Sequence, residues 1–127
     1  MDGWVGYETH SPLDGYYFED SYVLCVWASK AIVEFTLLAA LTSGHPAYQA
    51  PLPGEHHCYR YARLRFSGCS DVCWLDRSPT LSVDPDGEAD FGNLDTFLLN
   101  QGRFRLQGSW GHLEFAADDW SIGLIDT

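Results

Sequence analysis

The sequence predicts an all-β protein: an antiparallel β-sandwich or partly open barrel of about eight short strands, with little helix. Three observations point there. Short apolar runs rich in β-branched and aromatic residues recur along the chain, and Gly, Pro and Asp clusters separate them. Several runs alternate in polarity with a period of two, as Ala62, Leu64 and Phe66 do against Arg63 and Arg65. No segment combines a capping residue with a sustained 3.6-residue period.

Residues 1–15 are rich in Gly, Pro and polar groups and are expected to form an irregular arm. Trp4, Tyr7, Tyr16, Tyr17 and Phe18 predict that this arm packs down on the domain. Ser21 to Ala28 reads as a strand, with Tyr22, Leu24 and Val26 on one side and Val23, Cys25 and Trp27 on the other. Ser29-Lys30 interrupts it before the apolar run Ala31 to Leu41, a hairpin pattern. Length alone would allow a buried helix over the second run, but Val33, Phe35 and Thr36 favour strand. Gly44, Pro46, Pro51, Pro53 and Gly54 make Thr42 to Glu55 a long connection, because proline lacks the ladder donor and fixes its own φ.

Cys58 to Phe66 is the clearest strand, apolar on one face and Tyr59, Tyr61, Arg63 and Arg65 on the other. Asp71 to Leu75 is a short strand, followed by the acidic connection Asp84-Pro85-Asp86-Gly87-Glu88-Ala89-Asp90. Strands are then expected over Leu94 to Asn100, Arg103 to Gln107, His112 to Ala116 and Trp120 to Ile125. Gln101-Gly102 has the composition of a tight hairpin turn, and Ser109-Trp110-Gly111 marks the next reversal.

With 127 residues, 46% of them apolar and 15% aromatic, the chain is read as one domain spanning 1–127. At that size folding removes roughly two-thirds of the chain's surface from water. A net charge of -11 and a pI near 4.5 argue against a nucleic-acid binder, which needs a basic surface to release phosphate counterions. The same charge disfavours anionic membranes and steers basic protein partners toward the chain. The first residues, Met1-Asp2-Gly3-Trp4, lack a basic n-region and an apolar h-region, so a cytoplasmic location is expected. Cys25, Cys58, Cys69 and Cys73 are accordingly expected to be reduced, with Cys25 and Cys58 buried as small hydrophobes.

No residue pattern specifies catalysis, and no cofactor is expected. There is no G-x-S-x-G elbow, no local cysteine-protease signature and no phosphate-cradling glycine loop with its following Lys. The Asp-x-Asp-Gly core of the acidic segment departs from EF-hand spacing, with Gly87 at the fourth position counted from Asp84 rather than the sixth, and reads as a solvated turn. Cys69-x3-Cys73 falls in the zinc range, but Cys58 belongs to a core face and His56-His57 are adjacent, so no metal site is expected. The Tyr59, Tyr61, Arg63, Arg65 face is either a recognition surface or a wet sheet face whose arginines pair with surplus acids.

Phe18-Glu19-Asp20-Ser21-Tyr22-Val23-Leu24, Gly44-His45-Pro46-Ala47-Tyr48 and Gly108-Ser109-Trp110-Gly111-His112-Leu113-Glu114-Phe115 carry a resemblance. Together they resemble small acidic bacterial proteins without assigned function and, more loosely, β-rich immunity proteins that neutralise secreted polymorphic toxins. The resemblance implies a bacterial, cytoplasmic origin and a binding role, and it carries over no functional residues.

The leading expectation is therefore a non-enzymatic domain that binds a basic protein through an acidic rim of Asp84, Asp86, Glu88 and Asp90. The alternative is a small-molecule-binding protein or enzyme with a pocket between the sheets, served by His56 or His57.

Overall fold

The computed structural model describes residues 3–7, 13–51, 53–54, 57–77 and 92–125, together with the backbone of 82–83 and 89–90. Two antiparallel sheets pack face to face, neither closed into a barrel, and the described residues contain no α-helix. One sheet has five strands: β1 (Val5–Gly6), β8 (Thr96–Asn100), β9 (Arg103–Gly108), β10 (Gly111–Ala116) and β5 (Ser70–Arg77), in that spatial order. The other has four: β11 (Asp119–Leu124), β4 (Cys58–Ser67), β3 (Ile32–Leu41) and β2 (Tyr16–Ala28). A separate ribbon pairs β6 (Ser82–Val83) with β7 (Ala89–Asp90), and β7 runs beside β2. The three strands beyond the expected eight are all two-residue pairs, too short for any alternation to develop.

The core lies between the sheets because alternate residues of facing strands point inward. Ala62, Leu64 and Phe66 of β4 are fully buried, as are Val33, Phe35 and Leu37 of β3. Phe66 is the hub. Its ring contacts Phe104 at 4.7 Å, Phe115 at 4.8 Å and Phe97 at 6.3 Å, all from the opposite sheet. Edge-to-face and tilted contacts of this kind add to the area that the rings remove from water. Tyr7 and Leu13 of the N-terminal segment are buried in the same core, and β1 extends the five-stranded sheet by pairing Val5 with Leu99.

Strand β2 corrects the expected face assignment. Two register irregularities interrupt its pairing with β3, between Tyr17 and Tyr22 and between Val23 and Cys25. Each bulge adds residues on one strand and resets the alternation. Val23, Val26 and Ala28 therefore face the core side, opposite Leu37, Phe35 and Val33, while Tyr22, Cys25 and Trp27 stand on the outer face. Cys25 is thus exposed rather than buried, as is Cys73; Cys58 and Cys69 are buried, and all four thiols are free.

At the first bulge Ser21, fully buried, replaces the missing ladder partner. Its hydroxyl accepts from the Ala40 N–H at 2.9 Å and donates to the Tyr17 carbonyl at 2.8 Å. The edge of β2 is then sealed by the segment leading into β8. The Val23 N–H donates to the Gly92 carbonyl at 2.8 Å, and Asn93 Nδ2 donates to the Ser21 carbonyl at 3.0 Å.

Two strands pass from sheet to sheet at a shared corner, β4 into β5 and β10 into β11. The Cys69 N–H donates to Ala31 O and the Asp118 N–H to Ser67 O, which pins both crossings. Gly68 sits here at φ +60°, and a Cβ on it would lie 2.6 Å from Asp118 Oδ2. Glycine is required both for the left-handed backbone and for that approach. The hairpin turn at Gln101-Gly102 has φ of 48° and 82°, the pair of positive values that suits the twist of its flanking strands.

Candidate interaction surface

The two outer faces of the sandwich differ in how far they satisfy their own charges. On the five-stranded sheet, Arg105 and Glu114 are cross-strand partners, and Arg105 Nε donates to Glu114 Oε2 at 2.7 Å. His112 Nε2 lies 2.9 Å from the same oxygen, and the Trp4 ring covers the Arg105 guanidinium at 4.4 Å. The charges at this point of the face are matched within it, and Leu75 of β5 is exposed.

The outer face of the four-stranded sheet is different. The strand register lays its residues in rows: Ser121, Arg65, Glu34, Trp27; then Gly123, Arg63, Thr36, Cys25; then Tyr61, Leu38, Tyr22; then Tyr59, Ala40, Tyr17. Trp27 is 53% exposed, Tyr61 45% and Tyr17 38%, high values for large aromatic side chains in regular strands. Tyr22 and Tyr59 lie between the two tyrosines, their rings tilted by 41° with centres 5.8 Å apart. Arg63 Nε meets Glu34 Oε1 at 2.5 Å, while Arg65 forms no ion pair among the described residues. The alternative that this is a wet sheet face with paired arginines therefore holds for Arg63, whereas Arg65 pairs with no acid among the described residues.

The face is also polarised. Asp20 and Glu34 lie toward β2, with Trp27, Tyr22 and Tyr17, whereas Arg63 and Arg65 lie toward β11. His57 belongs to the β2 end. Its Nε2 is 2.7 Å from Asp20 Oδ2, and its ring stands edge-on to Tyr17 at 5.7 Å and Tyr59 at 5.8 Å. His57 is thus placed on the outer side of the sheet, among surface tyrosines. His56 lies outside the described residues.

Asp84, Asp86 and Glu88 fall in the connection between β6 and β7 and also lie outside the described residues. The Asp90 backbone pairs with Ser82 on the ribbon that runs beside β2. Among the described residues, no three His, Cys, Asp or Glu side chains gather as a metal site would require. No helix among them is long and apolar enough to cross a membrane.

Two open hollows are lined by described residues. One, of about 480 Å³, is lined by Arg63, Arg65, Ser121, Gly123, Leu124 and Ile125 along the β11 edge. The other, of about 350 Å³, lies at the sandwich end between Tyr7, Leu13, Tyr16 and Glu19. There the Tyr7 hydroxyl donates to Glu19 Oε1 and accepts from the Phe18 N–H at 3.2 Å, so its polar groups are already engaged. Burial raises the Tyr16 phenol above its ordinary value at this end. His45 packs edge-on against Tyr16 at 4.8 Å; burial, and secondarily the Arg60 charge, push its pKa below the ordinary value. The Cys69 thiol is raised chiefly by burial, so it is no activated nucleophile.

Neither hollow includes His57. Sequence reasoning identified Tyr59, Tyr61, Arg63 and Arg65 but missed Trp27, Cys25 and Tyr22 as their neighbours, because the β2 bulges reverse that strand's faces. It also left Gly123 and Ser121 unremarked, since their significance comes only from lying opposite Arg63 and Arg65. No protein-family model, curated protein or solved structure matches the chain.

Proposed function

We propose that this chain is a non-enzymatic protein-binding domain whose contact surface is the β2 side of the outer four-stranded sheet. The observation that carries the reading is the patch of exposed Tyr17 and Tyr61 with Tyr22, Tyr59 and Leu38 between them, and exposed Trp27 two rows away on the same face. Aromatic side chains on a rigid sheet lose little conformational entropy when covered, and Trp and Tyr are enriched among residues that dominate binding energy. Acid lies close by: Asp20 meets His57 and Glu34 meets Arg63 on the face itself, and the β6–β7 ribbon, whose connection carries Asp84, Asp86 and Glu88, runs beside β2.

A basic protein partner is the matching chemistry, in keeping with the resemblance to bacterial immunity proteins and with a cytoplasmic setting. In this role Asp84, Asp86, Glu88 and Asp90 speed encounter, while the aromatic patch holds the complex. The runner-up, a small-molecule site served by His56 or His57, draws less support, because the His57 ring is engaged by Asp20 and two surface tyrosines.

The test is capture from lysate of the native host with three baits: the wild-type chain, Trp27→Ser with Tyr61→Ser, and a variant with all four acids neutralised. A protein retained by the wild type, lost with the aromatic variant and slower to associate with the neutralised one supports the reading. Equal capture by all three folded baits, or none by the wild type, refutes it.

A further inference from the structure

The opposite edge of the same sheet carries a second site, independent of the aromatic patch. A strand at a sheet edge presents unpaired backbone groups, and proteins usually blunt such edges with bulges, charges or covering segments. Three of the four edges here are blunted. β2 is covered by Gly92 and Asn93, β5 carries two register irregularities with Asp71, Asp76 and Arg77, and β1 is two residues long. Among the described residues, nothing covers β11 and no bulge interrupts it. It runs six residues in regular register with β4, without proline or lysine, and its one charge, Asp119, is at its start.

The direction of its free groups follows from one bond. The Ile125 N–H donates to Tyr61 O at 2.9 Å, so residues 119, 121, 123 and 125 turn their backbone toward β4. Trp120, Ile122 and Leu124 turn theirs to the open edge. The Trp120 N–H is met by Asp119 Oδ1 at 2.9 Å, leaving the N–H groups of Ile122 and Leu124 without a partner among the described residues.

Beside that edge lie two arginines whose neighbours on β11 are small. Arg63 stands opposite Gly123 and Arg65 opposite Ser121, two of the smallest residues a strand can offer. A Cβ built on Gly123 would meet no atom within 4 Å, and the hollow of about 480 Å³ opens over it. Arg65 has no ion-pair partner among the described residues, and Arg63 has only Glu34. In a chain of net charge -11, this is a local cationic slot at an open sheet edge.

We infer that β11 accepts an extended acidic peptide segment as a fifth strand, with carboxylates at alternate positions seated against Arg63 and Arg65. An added strand lies about 4.8 Å beyond β11. Its residues facing Ile122 and Leu124 supply the backbone bonds, and those facing Ser121 and Gly123 point their side chains onto the outer face. Two acids spaced i and i+2 match the two-residue spacing of Arg63 and Arg65. Carboxylate–guanidinium bonds then give specificity, and the ladder gives register.

The experiment is fluorescence anisotropy with a labelled, end-capped peptide Thr-Val-Glu-Val-Glu-Val-Thr, against two controls. One control has both glutamates replaced by glutamine; the other has N-methylated valines, which keep the charge and block the ladder. The glutamate peptide is expected to bind at least about tenfold more tightly than either control. Arg65→Gln should remove the preference for glutamate over glutamine, and the amide signals of Ile122 and Leu124 should move on peptide addition.

Equal binding of the N-methylated peptide would leave only a charge contact and overturn strand addition. Equal binding of the glutamine peptide would overturn the arginine slot. Absence of saturable binding, or a dimer of this chain in sedimentation that the peptide does not dissociate, would also overturn the proposal. None of these readouts involves Trp27 or the acidic ribbon, so failure here leaves the protein-binding reading to its own test.

Discussion

Replacing Ser21 with alanine tests whether the first β2 bulge is held by a side chain in place of a ladder bond. The Ser21 hydroxyl is the acceptor for the Ala40 N–H at 2.9 Å, and Ala40 is fully buried. Removing it leaves that donor without water or protein to bond. The hydroxyl's own bond, to the Tyr17 carbonyl at 2.8 Å, is lost as well, but Tyr17 is partly exposed and water can replace that contact. The cost thus concentrates on one buried backbone donor, worth about 1–3 kcal/mol. For a domain of this size, such a loss lowers Tm by roughly 3–12 °C.

Urea unfolding would give the free energy, with Ser121→Ala on the exposed outer face as a control expected to change it by less than about 0.5 kcal/mol. Native-state hydrogen exchange at the Ala40 amide supplies a local readout, since its protection should fall in Ser21→Ala and not in the control. Unchanged stability with full protection of Ala40 would refute the reasoning, because it would mean that β2 closes into a regular ladder without the serine.

Two further outcomes follow from the core and the sandwich end. Phe66→Ala removes the ring that joins Phe104, Phe115 and Phe97 of the opposite sheet and should cost about 3–5 kcal/mol in urea unfolding. For His45, whose folded pKa lies below the ordinary 6.5, the unfolded chain binds the proton more readily. Its contribution is therefore present above pH 6.5 and lost as pH falls through the lowered folded value. His45 Nδ1 accepts from the Ala47 N–H at 3.0 Å, and asparagine can supply a comparable acceptor, so His45→Asn should keep the turn yet flatten the loss of stability below pH 6.5. Equal slopes for the two proteins in urea midpoints against pH would refute that assignment.

The legible parts of this fold are those whose information is local. β4 was readable because an uninterrupted strand alternates with period two, so Ala62, Leu64 and Phe66 had to share a face apart from Arg63 and Arg65. The Gln101-Gly102 turn was readable because few residues tolerate positive φ. β2 was not, since a bulge is a relation between two strands: Ser21 and Leu24 look like ordinary strand residues until β3 is laid beside them. Tyr22, Cys25 and Trp27 thus joined the candidate surface only in three dimensions.

By itself, the sequence determined that the chain is all-β, that it is strongly acidic, and that tyrosine and arginine share one face of β4. Only the tertiary structure decided which strand lies next to which. Pairing β4 with β11 placed Gly123 and Ser121 in front of two arginines and left Ile122 and Leu124 at an open edge. The physical reason is that alternation along a strand is set by its own pleat, whereas edges, neighbours and bulges arise from long-range pairing that no single segment encodes.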